Sequence, residues 1–208
     1  MIPIGNQKVY IVSKDTISMQ REKKIKLLEE SEAFLKVVYW FFAFPTKEIS
    51  LNDLTEEAGI SKTTANKVVK SLEKEGFLRK EVLGKTWRIS CNQGHPYNLT
   101  VKIPYNFGLV YRSGIIEKIH KKFSNPRAII LFGSYRKGDD VENSDLDIAL
   151  EVLDDSEIEI YNMGKINLGY RKNIQVNLHI FSRNKIDLNL FSNIANGIVL
   201  EGFLEVRP

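Results

Sequence analysis

The stretch LFGSYRKGDDVENSDLDIAL, residues 131–150, decides the fold of the C-terminal half of the chain. It overlaps the apolar run Ala128–Phe132, which is typical of a short buried strand. The alternating acidic and apolar residues near its end predict a second strand. In that strand Asp145 and Asp147 project from the same face, because strand side chains alternate between faces. Two adjacent carboxylates at the exposed end of a strand are a natural site for one or two Mg²⁺ ions.

The turn between these two predicted strands has the composition of a phosphate-binding loop. Gly133 lets backbone N–H groups approach a phosphate, and the start of the following helix favours negative charge. Ser134 adds a hydroxyl donor, while Arg136 and Lys137 either contact phosphate or are ordinary cations on the helix surface. The motif predicts a triphosphate cradle facing a metal site, which is the pairing that phosphoryl or nucleotidyl transfer needs.

Gly-Ser, ten residues and then Asp-x-Asp resembles the signature of the DNA polymerase beta nucleotidyltransferase superfamily, and in particular its minimal nucleotidyltransferase branch. The resemblance covers Tyr105–Phe203. It implies that Gly133 and Ser134 bind the triphosphate of an NTP and that Asp145 and Asp147 hold Mg²⁺ or Mn²⁺. It also implies a hydroxyl acceptor on a protein, a nucleic acid end or a small molecule. A protein acceptor would follow the antitoxins of this branch that modify HEPN-type toxins.

The sequence departs from that family at the third carboxylate, which normally lies on a neighbouring strand. The matching segment is Asn173–Phe181, NIQVNLHIF, with Asn177 at the expected position. Because an amide is neutral and cannot act as a base, we expect a weaker second metal and a slower chemical step. His179 shares the strand face of Asn177, where it is either a base or ligand or a structural histidine.

Residues 31–90 carry a second pattern, three helices followed by a hairpin. Apolar residues predict a buried helix over Glu32–Phe44, and two capped helices follow around a tight turn at Gly59. The β-prone runs Phe77–Val82 and Lys85–Ile89 predict the hairpin. This order resembles the winged helix-turn-helix domains of bacterial and archaeal regulators. In those domains the second helix of the motif enters the DNA major groove and the wing follows the backbone.

The excess of basic residues in the predicted recognition helix and wing favours a contact with nucleic acid. Residues 61–90 contain eight Lys and Arg against three Asp and Glu, whereas residues 136–160 contain two against ten. Asn can read adenine, Lys can read guanine or phosphate, and Ser and Thr can bind phosphate. The alternative is a module that only dimerises or docks onto a protein. The predicted DNA contacts are Ser61, Lys62, Thr63, Asn66, Lys67, Lys70, Lys85 and Arg88.

Composition excludes several other classes of protein. The 208 residues have a net charge of +4 and are 43% hydrophobic, which suits a packed core. Cys91 is the single cysteine, so an intrachain disulfide or a thiolate zinc cluster cannot form. The apolar run Val37–Phe44 is shorter than the roughly 20 residues of a membrane span, and the N-terminus does not resemble a signal peptide. We expect a cytoplasmic protein without a membrane partner.

The predicted class is α/β (α+β), a winged helix-turn-helix followed by a nucleotidyltransferase fold with a small mixed sheet flanked by helices. We also predict one helix over Leu109–Phe123, a helix within Glu151–Tyr170, and a final helix over Leu188–Asn196 followed by a short strand. The predicted divisions are a strand and helix extension at 1–30, a winged helix with linker at 31–104, and a nucleotidyltransferase domain at 105–208.

Two functional hypotheses follow. In the first, the chain transfers NMP from a Mg²⁺-bound NTP to a hydroxyl acceptor while its winged helix binds DNA. In the second, it is a DNA-binding transcriptional regulator whose impaired nucleotidyltransferase domain senses nucleotide or mediates dimerisation. Asn177 favours the second hypothesis, and the intact Gly133, Ser134, Asp145 and Asp147 favour the first. Winged helices often pair symmetrically, so a homodimer is a further expectation.

Overall fold

The computed structural model describes residues 31–153 and 157–206. The predicted extension at residues 1–30 lies outside the described residues. The N-terminal unit contains α1 (Glu32–Ala43), β1 (Glu48–Ile49), α2 (Leu51–Ala58), α3 (Lys62–Lys74), β2 (Leu78–Leu83) and β3 (Thr86–Cys91). The strands form an antiparallel sheet in the order β1, β3, β2. This arrangement confirms the predicted winged helix-turn-helix order.

The helices of this unit begin and end where the sequence predicts. The hydroxyls of Ser31, Ser50 and Ser61 each accept a hydrogen bond from a backbone N–H in the first turn of the helix that follows. Gly59 ends α2 in the left-handed conformation, at φ +61°, and this sets the tight turn into α3. The buried faces of the three helices pack on one another, with Phe41, Leu54, Val69 and Leu72 among the fully buried side chains.

The C-terminal unit is a five-stranded mixed sheet with helices on both faces. Its elements are α4 (Tyr97–Thr100), α5 (Lys102–Arg112), α6 (Ile115–Lys122), β4 (Ala128–Leu131), α7 (Gly133–Lys137), β5 (Leu146–Val152), β6 (Glu159–Leu168), β7 (Arg171–Ser182), α8 (Leu188–Ala195) and β8 (Ile198–Gly202). The strand order is β6, β7, β5, β4, β8. Strands β5 and β7 are parallel, and the other neighbours are antiparallel.

The sheet divides the core of this unit in two. Ile148 and Leu178 face a cluster that includes Ile115 and Ile119 of α6. Ala149 and Phe181 face the opposite side, where Ile194 of α8 packs. Asp147 and Asn177 lie on the same face as Ala149 and Phe181, because strand side chains alternate, and the candidate site is there.

Two expectations about secondary structure are wrong. The first is the helix predicted within Glu151–Tyr170, where residues 159–168 instead form strand β6. Ile166 and Leu168 are buried there with an exposed residue between them, which is the period of two of a strand. The predicted helix over Leu109–Phe123 is two helices, α5 and α6, separated at Gly114 with φ +71°. The final helix and strand are confirmed as α8 and β8.

The two units are in contact through α5 and the turn before β7. Tyr105 of α5 stacks on Tyr39 of α1, with ring centroids 4.0 Å apart. Tyr170, from the turn before β7, also packs against the N-terminal core. The predicted division at residue 104 falls inside α5, so that helix joins the two units. None of the helices in the described part of the chain has the length and apolar character needed to cross a membrane.

Candidate functional site

The two aspartates of the motif lie at the start of strand β5. Asp147 is the second residue of β5 and Asp145 directly precedes the strand. The intervening Leu146 is fully buried in the opposite face, as the alternation predicts. Asp145 is exposed, and the side chain of Asp147 is 28% exposed. Both carboxylates are therefore open to a ligand that comes from solvent.

Asn177 lies between these carboxylates. It is in register with Asp147 on the parallel strand β7. Its Nδ2 donates to Oδ2 of Asp145 at 3.3 Å and to Oδ1 of Asp147 at 3.4 Å. The amide thus donates to both carboxylates of the motif. Rotation of the amide by 180° would instead present its oxygen, which is a metal ligand.

Gly133 brings the turn that the sequence predicts to bind phosphate against Asp147. It has φ +71°, and a Cβ at this position would lie 2.8 Å from Oδ2 of Asp147. The N–H of Phe132 also donates to the carbonyl of Asp147 at 3.2 Å. Only glycine fits here without displacing the carboxylate, so the turn and the aspartate strand form one site.

His179 also lies beside Asp147, two residues after Asn177 on the same face. Its Nε2 is 3.5 Å from Oδ1 of Asp147, and its ring packs edge-on against Phe132 at 5.0 Å between centroids. Its Nδ1 is buried and has no hydrogen-bond partner among the described residues. Both interpretations of His179 therefore remain predictions, although the structure places its ring at the site.

A cleft of about 240 Å³ extends from Gly133 along α7. Arg136 is half-buried and Lys137 is exposed, and both line this cleft. Asn193 of α8 and Asn196, directly after that helix, also line it. Sequence reasoning missed these two amides, because nothing in their spacing links them to the motif. The cleft combines cations with neutral polar groups, which suits a phosphorylated ligand.

A buried polar cluster lies beneath the segment that joins α7 to β5. Asp140 is 2% exposed and pairs with Nζ of Lys102 at 3.2 Å and with the guanidinium of Arg171 at 3.4 Å. Nδ2 of Asn106 donates to Asp140 at 2.7 Å and to the carbonyl of Tyr135 at 3.2 Å. Sequence reasoning missed this cluster because its hydrogen-bonded pairs are 29 to 38 residues apart along the chain.

Burial dominates the titration of this cluster. Desolvation raises the pKa of Asp140, while Lys102, Asn106 and Arg171 act in the opposite direction. Desolvation also lowers the pKa of Lys102, against the attraction of Asp140. Without Asp140 the cations Lys102 and Arg171 would lose their buried counter-charge, so we expect removal of Asp140 to destabilise the fold strongly.

The same segment contacts the N-terminal unit. Glu142 accepts hydrogen bonds from the backbone N–H of Thr46 at 3.0 Å and from its hydroxyl at 2.9 Å. Burial raises the pKa of Glu142, but its own backbone hydrogen bond, the two bonds from Thr46 and the charge of Lys47 outweigh burial and lower it overall. The turn after α1 is thus attached to the residues that lead into the aspartate strand.

The residues present fit a divalent cation that binds together with an NTP. Mg²⁺ usually takes one or two carboxylates and completes its shell with waters and substrate phosphates. Asp145 and Asp147 supply the carboxylates, and the turn at Gly133 packs against Asp147 at one end of the cleft that Arg136 and Lys137 line. Within residues 31–153 and 157–206, no group of three or more His, Cys, Asp or Glu side chains is arranged to hold a metal by itself.

The predicted DNA contacts lie mainly on one surface of the N-terminal unit. Lys62, Lys67 and Lys70 of α3 are exposed, as is Lys85 between β2 and β3. Among the described residues, none of these four lysines has an ion-pair partner. Thr63 is exposed and Asn66 is half-buried on the same helix. We call this set the basic face.

Two other predicted contacts already have partners inside the unit. The hydroxyl of Ser61 caps α3. Arg88 lies 3.4 Å from Glu48 and 3.7 Å from Glu81 on the winged sheet. A groove of about 220 Å³ lies between α3 and the wing, lined by Lys62, Asn66 and Lys85 and also by Asn52 and Trp87, which the sequence did not single out.

Taken together, a Gly-Ser turn packed on strand aspartates in a mixed sheet defines a nucleotidyltransferase domain, and the preceding unit is a winged helix-turn-helix. Comparison with known protein families supports both assignments. Residues 115–201 match the family described as "Polymerase beta, Nucleotidyltransferase", and residues 47–79 match "Winged helix-turn-helix DNA-binding". The chain thus combines an N-terminal winged helix-turn-helix unit with a C-terminal nucleotidyltransferase domain. No curated protein matches the chain.

Proposed function

We propose that this chain binds a metal-bound NTP at Asp145 and Asp147, transfers NMP from it to a hydroxyl acceptor, and holds DNA through its winged helix, in the cytoplasm. The observation that carries the proposal is the packing of Asp147 between Gly133 and Asn177. That packing joins a turn suited to phosphate with a pair of carboxylates suited to a cation.

Each group at the site has a distinct role. Asp145 and Asp147 would hold Mg²⁺ or Mn²⁺, which when bound supplies charge neutralisation and orientation of the triphosphate. The backbone at Gly133 and the hydroxyl of Ser134 bind phosphate oxygens. Arg136 and Lys137 line the cleft beside them and attract the remaining negative charge.

The reaction exchanges one phosphorus–oxygen bond for another. The acceptor oxygen bonds to the α-phosphorus, and the bond from that phosphorus to the oxygen bridging to the β-phosphate breaks, so pyrophosphate leaves. The acceptor proton passes to water at the solvent-exposed edge of Asp145. Asn177 cannot accept that proton, because its amide is not basic, and we therefore expect slow turnover.

Transfer of label from α-labelled NTPs tests the catalytic part of this proposal. The acceptors are the chain itself, RNA and DNA oligonucleotides with a free 3′-hydroxyl, and any HEPN-type protein encoded beside the gene. Metal-dependent labelling that disappears in Asp145→Asn/Asp147→Asn supports transfer. The matched control is Asp139→Asn, which removes an exposed acid from the same segment and leaves labelling intact. Labelling that survives in the double variant would refute the site.

DNA binding is tested by its salt dependence. Each phosphate contact contributes about 0.9 to the slope of log affinity against log salt concentration. We expect Lys67→Gln and Lys70→Gln on the basic face each to reduce that slope by about 1. Lys172→Gln, an exposed lysine on β7, is the control and leaves the slope unchanged. Equal slopes in all variants would favour a module that docks onto protein.

A regulator is the second candidate function, and the hydrogen bonds of Asn177 to both aspartates favour it. In this version the site binds nucleotide without transferring it, and occupancy changes DNA affinity. NTP binding with no labelled acceptor, together with an NTP-dependent shift in DNA affinity, would select this candidate. Sedimentation of the free and DNA-bound chain tests the expected homodimer.

A further inference from the structure

We infer that Arg171 is a positioning residue that fixes the metal-binding aspartates relative to the phosphate-binding turn. The inference rests on the proposed function and extends it to a residue outside the motif. Arg171 begins β7, six positions before Asn177, and is 5% exposed. It does not itself contact the carboxylates of the site, so its effect must pass through the backbone.

The guanidinium holds the backbone directly before Asp145. Its NH2 group donates to the carbonyl of Ser144 at 2.6 Å and to the carbonyl of Glu142 at 3.0 Å. The Ser144 carbonyl belongs to the peptide bond that joins Ser144 to Asp145. The turn is also closed internally, because the N–H of Val141 donates to Oγ of Ser144 at 2.9 Å. The position of Asp145 therefore depends on Arg171.

The same guanidinium contacts the phosphate side of the site. Its central carbon lies 5.2 Å from the ring centroid of Tyr135, the residue after Ser134 on α7. Asn106 reinforces this link, since it donates both to the Tyr135 carbonyl and to Asp140, which in turn pairs with Arg171. One buried side chain thus touches both halves of the site and sets the distance between them.

A simple counter-charge would not need this geometry. Lysine could neutralise Asp140, but its single ammonium cannot reach Asp140 and both carbonyls as a planar guanidinium does. Arg171→Lys therefore separates the two roles. If Arg171 only balances the charge of Asp140, the lysine variant behaves like wild type. If it positions Asp145, the variant keeps its fold and loses metal affinity.

The test uses the full chain, Mn²⁺ as the probe metal and a non-hydrolysable NTP analogue, with free Mn²⁺ measured by electron paramagnetic resonance. Loss of groups that orient metal ligands typically costs 10- to 100-fold in affinity, and we expect about tenfold for Arg171→Lys. Amide hydrogen exchange at residues 141–146 of the metal-free variant is expected to rise. The matched control is Arg183→Lys, an arginine just after β7 that pairs with Glu151 and Glu205 and leaves both readouts unchanged.

Asn106→Ala is a second variant that leaves the buried charges paired. It removes the link from Tyr135 to Asp140, and we expect a smaller loss of Mn²⁺ affinity, about threefold. Wild-type affinity and exchange in both Arg171→Lys and Asn106→Ala would overturn the inference while leaving the proposed function in place. No binding of Mn²⁺ and NTP by the wild type would overturn the proposed function and the inference together.

Discussion

Replacement of Gly133 by alanine should both strain the backbone and displace Asp147, and a control at Gly164 distinguishes the two effects. The residue has φ +71°, where an L side chain costs about 1–2 kcal/mol. The new Cβ would also lie 2.8 Å from Oδ2 of Asp147, whereas ordinary contacts begin near 3.4 Å. Asp147 or the turn must therefore move by about half an ångström.

This displacement exceeds what a metal site tolerates. Metal–ligand distances vary by about 0.2 Å around their ideal values, so a shifted Asp147 no longer coordinates well. We expect the dissociation constant of the Mn²⁺–NTP complex to rise at least tenfold, which corresponds to about 1.4 kcal/mol. Thermal unfolding measures the strain, and titration with Mn²⁺ and NTP measures the loss of binding.

Gly164 provides the matched control. It has φ +84° on β6, and a Cβ there would meet no atom within 4 Å. Gly164→Ala should lose about the same 1–2 kcal/mol of stability and keep wild-type binding. Wild-type binding of Mn²⁺ and NTP by Gly133→Ala, or an equal loss of binding in Gly164→Ala, would show that displacement of Asp147 by a Cβ at residue 133 does not control metal binding.

Three further predictions concern single residues. Asn177→Asp places a third carboxylate beside Asp145 and Asp147, so we expect tighter Mn²⁺ binding in titrations and lower thermal stability without metal. A wild-type affinity would show that Asn177 does not limit the site. Glu142→Gln should lower the free energy of unfolding at pH 7 by a few tenths of a kcal/mol, because solvent screens this partly exposed site and the lowered pKa of Glu142 stabilises the fold above about pH 4.5. That difference should vanish as the pH falls through the lowered pKa, and a difference independent of pH would contradict the Thr46 contact. Burial raises the pKa of the Cys91 thiol to about 12, so it should react with a thiol reagent far more slowly in the folded chain than in denaturant, and equal rates would contradict its burial.

The parts of the fold that could be predicted are those that local sequence determines. Glycine and serine at the ends of α2 and α3 fix the helix-turn-helix, because capping involves residues three or four positions apart. Alternation predicted that Asp145 and Asp147 share a face, and the family resemblance placed Asn177 at the position of the third carboxylate, which the parallel register puts opposite Asp147. Strand β6 was missed although Ile166 and Leu168 show the same alternation.

The parts that could not be predicted depend on contacts between distant residues. Arg171 and Asp140 are 31 residues apart, and Glu142 and Thr46 are 96 apart. No periodicity links such pairs, and a buried Lys102 goes against the usual exposure of lysine. Arg88 was assigned to DNA from its charge, whereas the register of the wing places it near Glu81.

Binding of NTP with and without Mg²⁺ is the most direct test of the claim that Asp145 and Asp147 hold a metal–nucleotide complex. Each labelled NTP is titrated onto the wild type and onto Asp145→Asn/Asp147→Asn, with thermal unfolding to verify that both are folded. If the two aspartates hold the complex, binding needs Mg²⁺ and is lost in the double variant. Binding that is independent of Mg²⁺, or equal in both proteins, would contradict that claim.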